Sequence, residues 1–244
     1  MRSFYDYPAL YDAIHLPDTP AEMAGMLAAA RRHRARLSDL LEPACGTGRN
    51  LRFLSELAYA VAGYDTSARA LAFARRRGLR VARASMTDHR ADSAFDAAYS
   101  LIGTFRHLPH DRDALRHLRL TAAALRPGGV YVIGLDLVDY DDCPPDEEGW
   151  EVIRRGRRLR HLYETLPPRR RLRCERVINF ITVETRGGDR VLQDETRLRS
   201  YDLPQWRALI ARSPFRLAGA ATANGAPLRL SRRTRYALFV LKKK

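Results

Sequence analysis

The sequence predicts an α/β fold: a mainly parallel sheet covered by helices on both faces, with a small insertion after its fifth strand. Three observations carry this. Strand and helix signals alternate between residues 37 and 136. A buried apolar run empties into a glycine turn that opens a helix, "LLEPACGTGRN" at residues 40–50. After Asp136 the texture changes to an acidic loop, then arginine-rich and β-branched segments. The chain of 244 residues suits one domain with a core of useful size.

The elements follow in order. "TPAEMAGMLAAARRH" reads as a helix with Thr19 as N-cap, Pro20 at its first position and Glu22 completing a capping box. "RLSDLLEPA" is a buried strand ending near Glu42. "TGRNLRFLSELA" has helical spacing at Leu51, Leu54 and Leu57. "YAVAGYD" is a second strand ending at Asp65, and Ser67 caps a helix that closes on arginines and Gly78. "LRVARA" and "AFDAAYSLI" are the third and fourth strands. Asp111 caps the next helix, closed by Pro127 and glycines, and "VYVIGLDL" is the fifth strand. Beyond it, "CERVINFITVET" and "VLQDETRLRSYD" read as antiparallel strands joined at Gly187, Gly188 and Asp189. "LPQWRALIARS" is a helix, and "FRLAGAATA" and "RRTRYALFVL" are the last two strands. The divisions expected are a helical cover over 1–36, a core over 37–136, a lid or substrate insertion over 137–200, and a closing helix with two strands over 201–244.

Composition excludes several classes. Hydrophobic content of 45% and charged content of 29% are ordinary for a folded chain. No apolar run approaches a membrane span, and the acid-bearing start "MRSFYDYPALYD" lacks a signal-peptide core, so a cytoplasmic location is expected. Cys45, Cys143 and Cys174 are too few and too scattered for a disulfide framework or a zinc site, so no metal is expected. The net charge of +15 suggests a polyanionic partner, but the only lysines are Lys242, Lys243 and Lys244. A charge made almost wholly of arginine, beside many alanines and leucines, has a bland reading in GC-rich codon usage.

A strand that ends in glycines and opens a helix turns free backbone N–H groups toward a ligand. A dinucleotide site needs a third glycine, and Gly46 and Gly48 are followed by Arg49, Asn50 and Leu51. A Walker loop needs a lysine that is absent here. What remains is an acid, Glu42, four residues before the first of two spaced glycines.

That pattern resembles motif I of the class I S-adenosylmethionine-dependent methyltransferases, acid-x-Gly-x-Gly-x-Gly, with Ala44 in place of the first glycine. Further positions agree in order: Asp65 with Thr66 and Ser67, the "ASMTDH" stretch, "FDAAYS", and "ALRPGGVYVIG". The resemblance covers residues 37–136 well and the last strand pair weakly. It implies a Rossmann-like, seven-stranded sheet whose last strand is antiparallel, with a small antiparallel β lid. It implies S-adenosyl-L-methionine as cofactor. Glu42, Ala44, Gly46, Gly48 and Asn50 would hold its amino-acid end, and Asp65 and Thr66 its ribose. Ser85, Met86 and Asp88 would face the adenine, where Ser85 replaces the usual acid and Asp88 serves equally as a loop turn. Ser100 and Leu101 would line the methionine arm. The "YDYPALYD" opening resembles small-molecule enzymes whose N-terminal segment covers the cofactor, which makes Tyr5 and Tyr11 candidates for the pocket; core or surface duty competes for both.

The implied reaction is in-line displacement at an electrophilic methyl group, which alignment in a dry site can accelerate. A base is needed only when the nucleophile must lose a proton. His107, His110, Asp136, Tyr140 and Tyr201 are placed by chain order near the strand ends; His107 is the best candidate base, and Tyr11 is a second catalytic candidate. No Asn-Pro-Pro-Tyr type motif follows the fourth strand, no Lys-Asp-Lys-Glu set exists, and no cysteine sits where a C5-pyrimidine nucleophile belongs. The expected activity is methyl transfer to N or O of a small molecule, by a monomer or homodimer. Arg154, Arg155, Arg157 and Arg158 of the insertion suggest an anionic acceptor; the clusters at 75–77 and 154–160 have a bland alternative as solvated faces. Two rivals remain. An RNA methyltransferase would bind RNA with a steep salt dependence, which flat, weak binding at low salt would reject. A non-catalytic cofactor-binding subunit would bind the demethylated product and turn over nothing.

Overall fold

The computed structural model describes residues 4–154, 156–185 and 187–244. Seven strands form the main sheet: β1 Asp39–Pro43, β2 Ala60–Asp65, β3 Val81–Arg83, β4 Phe95–Ser100, β5 Leu125–Asp136, β10 Phe215–Ala221 and β11 Tyr236–Lys243. Their spatial order is β10-β11-β5-β4-β1-β2-β3. All run parallel except β11, which lies antiparallel between β5 and β10. The central strands are buried on both faces because each alternate residue finds a helix. Leu40, Ala97, Tyr99 and Val132 pack with Met23 and Met26 of α2 (Thr19–Arg31). Leu41, Ala98, Tyr131 and Ile133 pack with Leu115 and Leu118 of α5 (Asp111–Ala124) and Trp206 of α6 (Leu203–Ala211).

The insertion is a separate four-stranded antiparallel sheet in meander order: β6 Asp146–Arg154, β7 Arg157–Thr165, β8 Cys174–Val183 and β9 Arg190–Arg199. Only β8 and β9 are legible as strands in the sequence. β6 and β7 carry a charge at nearly every exposed position, which hides their alternation, yet they register over nine pairs from Asp146↔Thr165 to Arg154↔Arg157. The lid meets the core at α1 (Pro8–His15), where Phe4, Ala13, Ile14, Leu159 and Ile181 form a small shared core. Among the described residues no helix is long and apolar enough to cross a membrane.

Three local expectations are corrected. The capping box at Thr19 is absent: α2 continues from a 3₁₀ turn, Leu16–Asp18, and no side chain caps it. Thr19 and Glu22 instead hold Arg49, at 2.7 and 2.6 Å. Asp111 is the first residue of α5 and does not cap it, because its carboxylate takes Arg173 and Arg199. Leu57 lies past the end of α3 (Arg49–Glu56) and is 52% exposed. Ser67 does cap α4 (Ala68–Arg75), accepting from Ala70 N, and Asp202 with Gln205 forms a capping box on α6.

Candidate active site

The C-terminal ends of β1, β2 and β4 open into one cavity of about 1260 Å³, roofed by the lid and the N-terminal segment. Pockets for a single drug-sized ligand run to about 1000 Å³, so there is room for two partners. The cavity contains Tyr5, Tyr11, Glu42, Ala44, Gly46, Asn50, Asp65, Thr66, Ser85, Met86, Ser100, Leu101 and His107 in its lining. Gly48 and Asp88 are not in the lining. Gly48 shapes the turn from behind: it is the N-cap of α3 at φ 71°, and a Cβ there would stand 2.5 Å from Leu79. Asp88 closes its own loop by accepting from Ser85 N at 2.6 Å.

The turn is built backward from Asp65. Gly46 N donates to Asp65 Oδ2 (2.9 Å) and Ser67 N to Oδ1 (2.7 Å). The carboxylate thus joins the ends of β1 and β2, and each oxygen keeps a lone pair for a hydroxyl. Cys45 packs under Gly63, where an added Cβ would meet it at 2.8 Å. Ala44 holds φ 52°, a left-handed backbone that a Cβ disfavours by about 1–2 kcal/mol. Ala44→Gly should therefore stabilise the fold by about 1 kcal/mol after glycine's own entropy cost, read as a Tm rise of a few degrees; an unchanged or lower Tm contradicts it.

Glu42 is buried and accepts from Asn50 Nδ2 (2.7 Å) and Tyr99 OH (3.2 Å). Burial raises its pKa to about 8, against the Asn50, Arg49 and Tyr99 contributions, which lower it. Asn50 Oδ1 and Thr47 Oγ1 are buried with no hydrogen-bond partner among the described residues. Gly46 has nothing within 4 Å of where a Cβ would stand, so the backbone meets open space. Two acceptors beside an open glycine suit an ammonium group, and two carboxylate lone pairs at Asp65 suit a pair of hydroxyls. The residues fit an amino-acid nucleoside.

Several contacts around the cavity have no local sequence signal. Arg77 forms a bidentate pair with Asp12 (2.7 and 2.6 Å), tying α1 to the end of α4 and the N-terminal cover over the cavity; residues 75–77 are thus not wholly a solvated face. Ser100, Tyr131 and His117 form a buried chain ending on the Met86 carbonyl, with links of 2.8, 2.8 and 3.0 Å. Arg106, after β4, is buried against Glu175 of β8 and donates to the Arg199 carbonyl at 3.0 Å, which fastens the lid to the core. Tyr5 is 46% exposed, and its ring lies 5.9 Å from His107. Burial and then Arg106 lower the His107 imidazole, while Asp65 raises it. Burial raises the Tyr11 phenol, with Arg49 pulling it down. His110 caps α5 by position and Tyr201 is a core residue packed on Trp206, so neither lines the cavity. Tyr140 bonds Ser200 and is also outside the lining.

The cavity's charge is opposite to the chain's. Nine carboxylates and three arginines line it, within a protein of net charge +15. Arg154, Arg157 and Arg158 are outside the lining, and Arg158 faces Glu151 and Glu184. Arg155 lies outside the described residues.

Residues 40–129 match the family model described as a methyltransferase domain. Over 129 residues the chain is 34% identical to a dTDP-3-amino-3,6-dideoxy-alpha-D-glucopyranose N,N-dimethyltransferase of Streptomyces fradiae, covering 51% of each chain. The chain thus spans about half the length of the curated relatives it matches. The fold is similar to Streptomyces venezuelae DesVI, with a TM-score of 0.81 at 22% identity over 100% of both chains. It is also similar to the sugar N-methyltransferase KedS8 of Streptoalloteichus, with a TM-score of 0.76 at 24% identity, covering 93% of this chain and 88% of that one. The glycine turn and Asp65 both fall within the stretch that matches a methyltransferase domain, and the seven-stranded order is the fold shared with those solved structures.

Proposed function

We propose that the protein transfers a methyl group from S-adenosyl-L-methionine to the amine of a small, sugar-like molecule. Glu42 and Asn50 Oδ1 receive the cofactor's ammonium, with Ala44 and Gly46 shaping the backbone around its amino-acid end. Asp65 and Thr66 hold the ribose, Ser85 and Met86 flank the adenine, and Ser100 and Leu101 border the methionine arm. When bound, the cofactor supplies a sulfonium-activated methyl group. The chain's own residues position the acceptor, exclude water through the lid at 137–200, and accept any proton that must leave.

The observation that carries the amine reading is a set of carboxylates on the lid side. Asp136, Asp146 and Glu148 all line the cavity, and the three are within charge range of one another. Desolvation raises the pKa of both Asp136 and Glu148, though the Asp136 side chain is 49% exposed and Glu148 is exposed; Asp146 adds to both and Asp136 to Glu148, while Arg106 pulls Asp136 down. Such a group is relieved by a cation, and the reading agrees with relatives named for amino-sugar substrates. Arg154, Arg157 and Arg158, which suggested an anionic acceptor, stand outside the cavity lining, so the amine rather than an anionic group is what these carboxylates address. Tyr5, Tyr11 and His107 form the wall beneath the acceptor.

Two measurements test it. Calorimetry should find S-adenosylhomocysteine bound with 1:1 stoichiometry. Mass spectrometry should find 14-dalton additions on amino sugars and none on their hydroxyl analogues. Equal methylation of both sets would remove the amine preference.

A further inference from the structure

His161 on β7 is 4% exposed and forms part of the cavity's lid-side wall. Its Nε2 lies 2.9 Å from Asn179 Oδ1, on β8. Asn179 Nδ2 in turn donates to Asp194 Oδ1, on β9, at 2.7 Å. A carboxylate only accepts, so the Asn179 amide is oriented with its NH₂ toward Asp194 and its oxygen toward the ring. An amide oxygen also only accepts, so Nε2 carries the ring hydrogen. The lone pair of the neutral imidazole is therefore on Nδ1. That atom is buried and has no hydrogen-bond partner among the described residues.

The groups facing the ring from each packed element are identifiable. Phe4 lies 4.8 Å away from the N-terminal turn, and His15 of α1 meets it edge-on at 5.4 Å. Trp150 of β6 stacks on it at 5.3 Å, and Tyr163 stands at 6.2 Å on its own strand. Asp194, through Asn179, is the nearest charge. Burial lowers the imidazole's pKa, with Asn179 and Asp194 opposing, which favours the neutral ring. The arrangement has the parts of an activated base: a ring whose tautomer is set by one group that is itself held by another. His107 has no ring hydrogen bond among the described residues.

We infer that His161 is the catalytic residue that takes the acceptor's amine proton, with Asn179 and Asp194 as positioning residues. This rests on the amine-transfer reading above. The acceptor arrives as R–NH₃⁺ and gives one proton to Nδ1, leaving an imidazolium still bonded to Asn179 through Nε2–H. The freed nitrogen pair forms the C–N bond as the C–S bond breaks, and that bonding pair leaves on sulfur as a neutral thioether. The product is R–NH₂⁺–CH₃, and the imidazolium returns its proton to water after release.

The test uses the full chain, S-adenosyl-L-methionine, and two acceptors: 3-amino-3-deoxyglucose and its 6-deoxy form carried on dTDP. His161→Phe keeps a flat ring against Trp150 and removes the lone pair. It should lower kcat about 100-fold at pH 7 with the Kd for S-adenosylhomocysteine unchanged. The deficit should narrow as pH rises toward 9.5, because the amine then arrives unprotonated; a merely structural role would give a constant deficit. Asn179→Leu should give a smaller loss with the same pH trend. Wild-type kcat in His161→Phe, or a deficit independent of pH, overturns the inference while leaving the amine reading intact. Product binding without methylation of either amine removes the amine reading and the inference with it, and absence of product binding removes the cofactor assignment. Where the variant fails to fold, nitrogen NMR of the wild-type histidines decides: hydrogen on Nε2 of His161 is expected, and hydrogen on Nδ1 overturns it.

Discussion

Replacing Arg106 with methionine is expected to cost about 3–5 kcal/mol of stability, because it strands a buried carboxylate. Glu175 is buried beside it in β8, and the two form an ion pair between the core and the lid. Arg106 also donates to the Arg199 carbonyl at 3.0 Å and reaches Asp136 at 3.4 Å. One guanidinium therefore joins the end of β4, the end of β5 and two lid strands. Removing it leaves Glu175 without a counter-charge. At about 2–4 °C per kcal/mol for a chain of this size, Tm should fall by about 10 °C. Arg106→Met with Glu175→Met should recover most of that loss, since a buried pair replaced by apolar groups is often neutral or better. A single variant within 1 kcal/mol of the wild type would show that the clamp is not the lid's main attachment.

The second large effect is on cofactor affinity and its pH dependence. Glu42 stands with a pKa of about 8 and is mainly protonated at pH 7. A ligand ammonium favours the carboxylate form. Binding below pH 8 must then expel a proton, so affinity for S-adenosylhomocysteine rises with pH and levels off above about 8. The limiting slope is about tenfold per pH unit. Calorimetry at pH 7 in buffers of differing ionisation enthalpy should report nearly one proton released. Glu42→Gln copies the protonated acid and keeps a partner for Asn50 and Tyr99. It should fold normally, bind at least tenfold more weakly at pH 8, and lose the pH dependence. A flat affinity profile in the wild type would mean that Glu42 does not meet the ammonium.

The candidate site was legible where its chemistry is local. The run 40–48 shows an acid, a turn and a helix start because strand, glycine and cap signals act over a few neighbours. Asp65 shows because a strand end and a capping serine mark it. The net charge is no guide to the charge of the cavity, for a physical reason. A net charge of +15 describes the whole surface, whereas the cavity gathers carboxylates from separate elements, among them Glu42, Asp136 and Glu148. Thr19 and Glu22 read as a capping box because their spacing fits one, yet Arg49, buried nearby, offers a charge-assisted partner that a backbone N–H does not match.

Periodicity and turn chemistry, which are properties of short stretches, determined the alternating core and the glycine turn from the sequence alone, and the cofactor class came from the family resemblance that this turn and Asp65 carry. Tertiary structure decided the rest: Asp12 with Arg77 across 65 residues, Arg106 with Glu175 across 69, and the His161–Asn179–Asp194 line through three lid strands. Each of these depends on which side chains are left together when water is excluded, and no local signal encodes that, because burial is settled only when distant strands register.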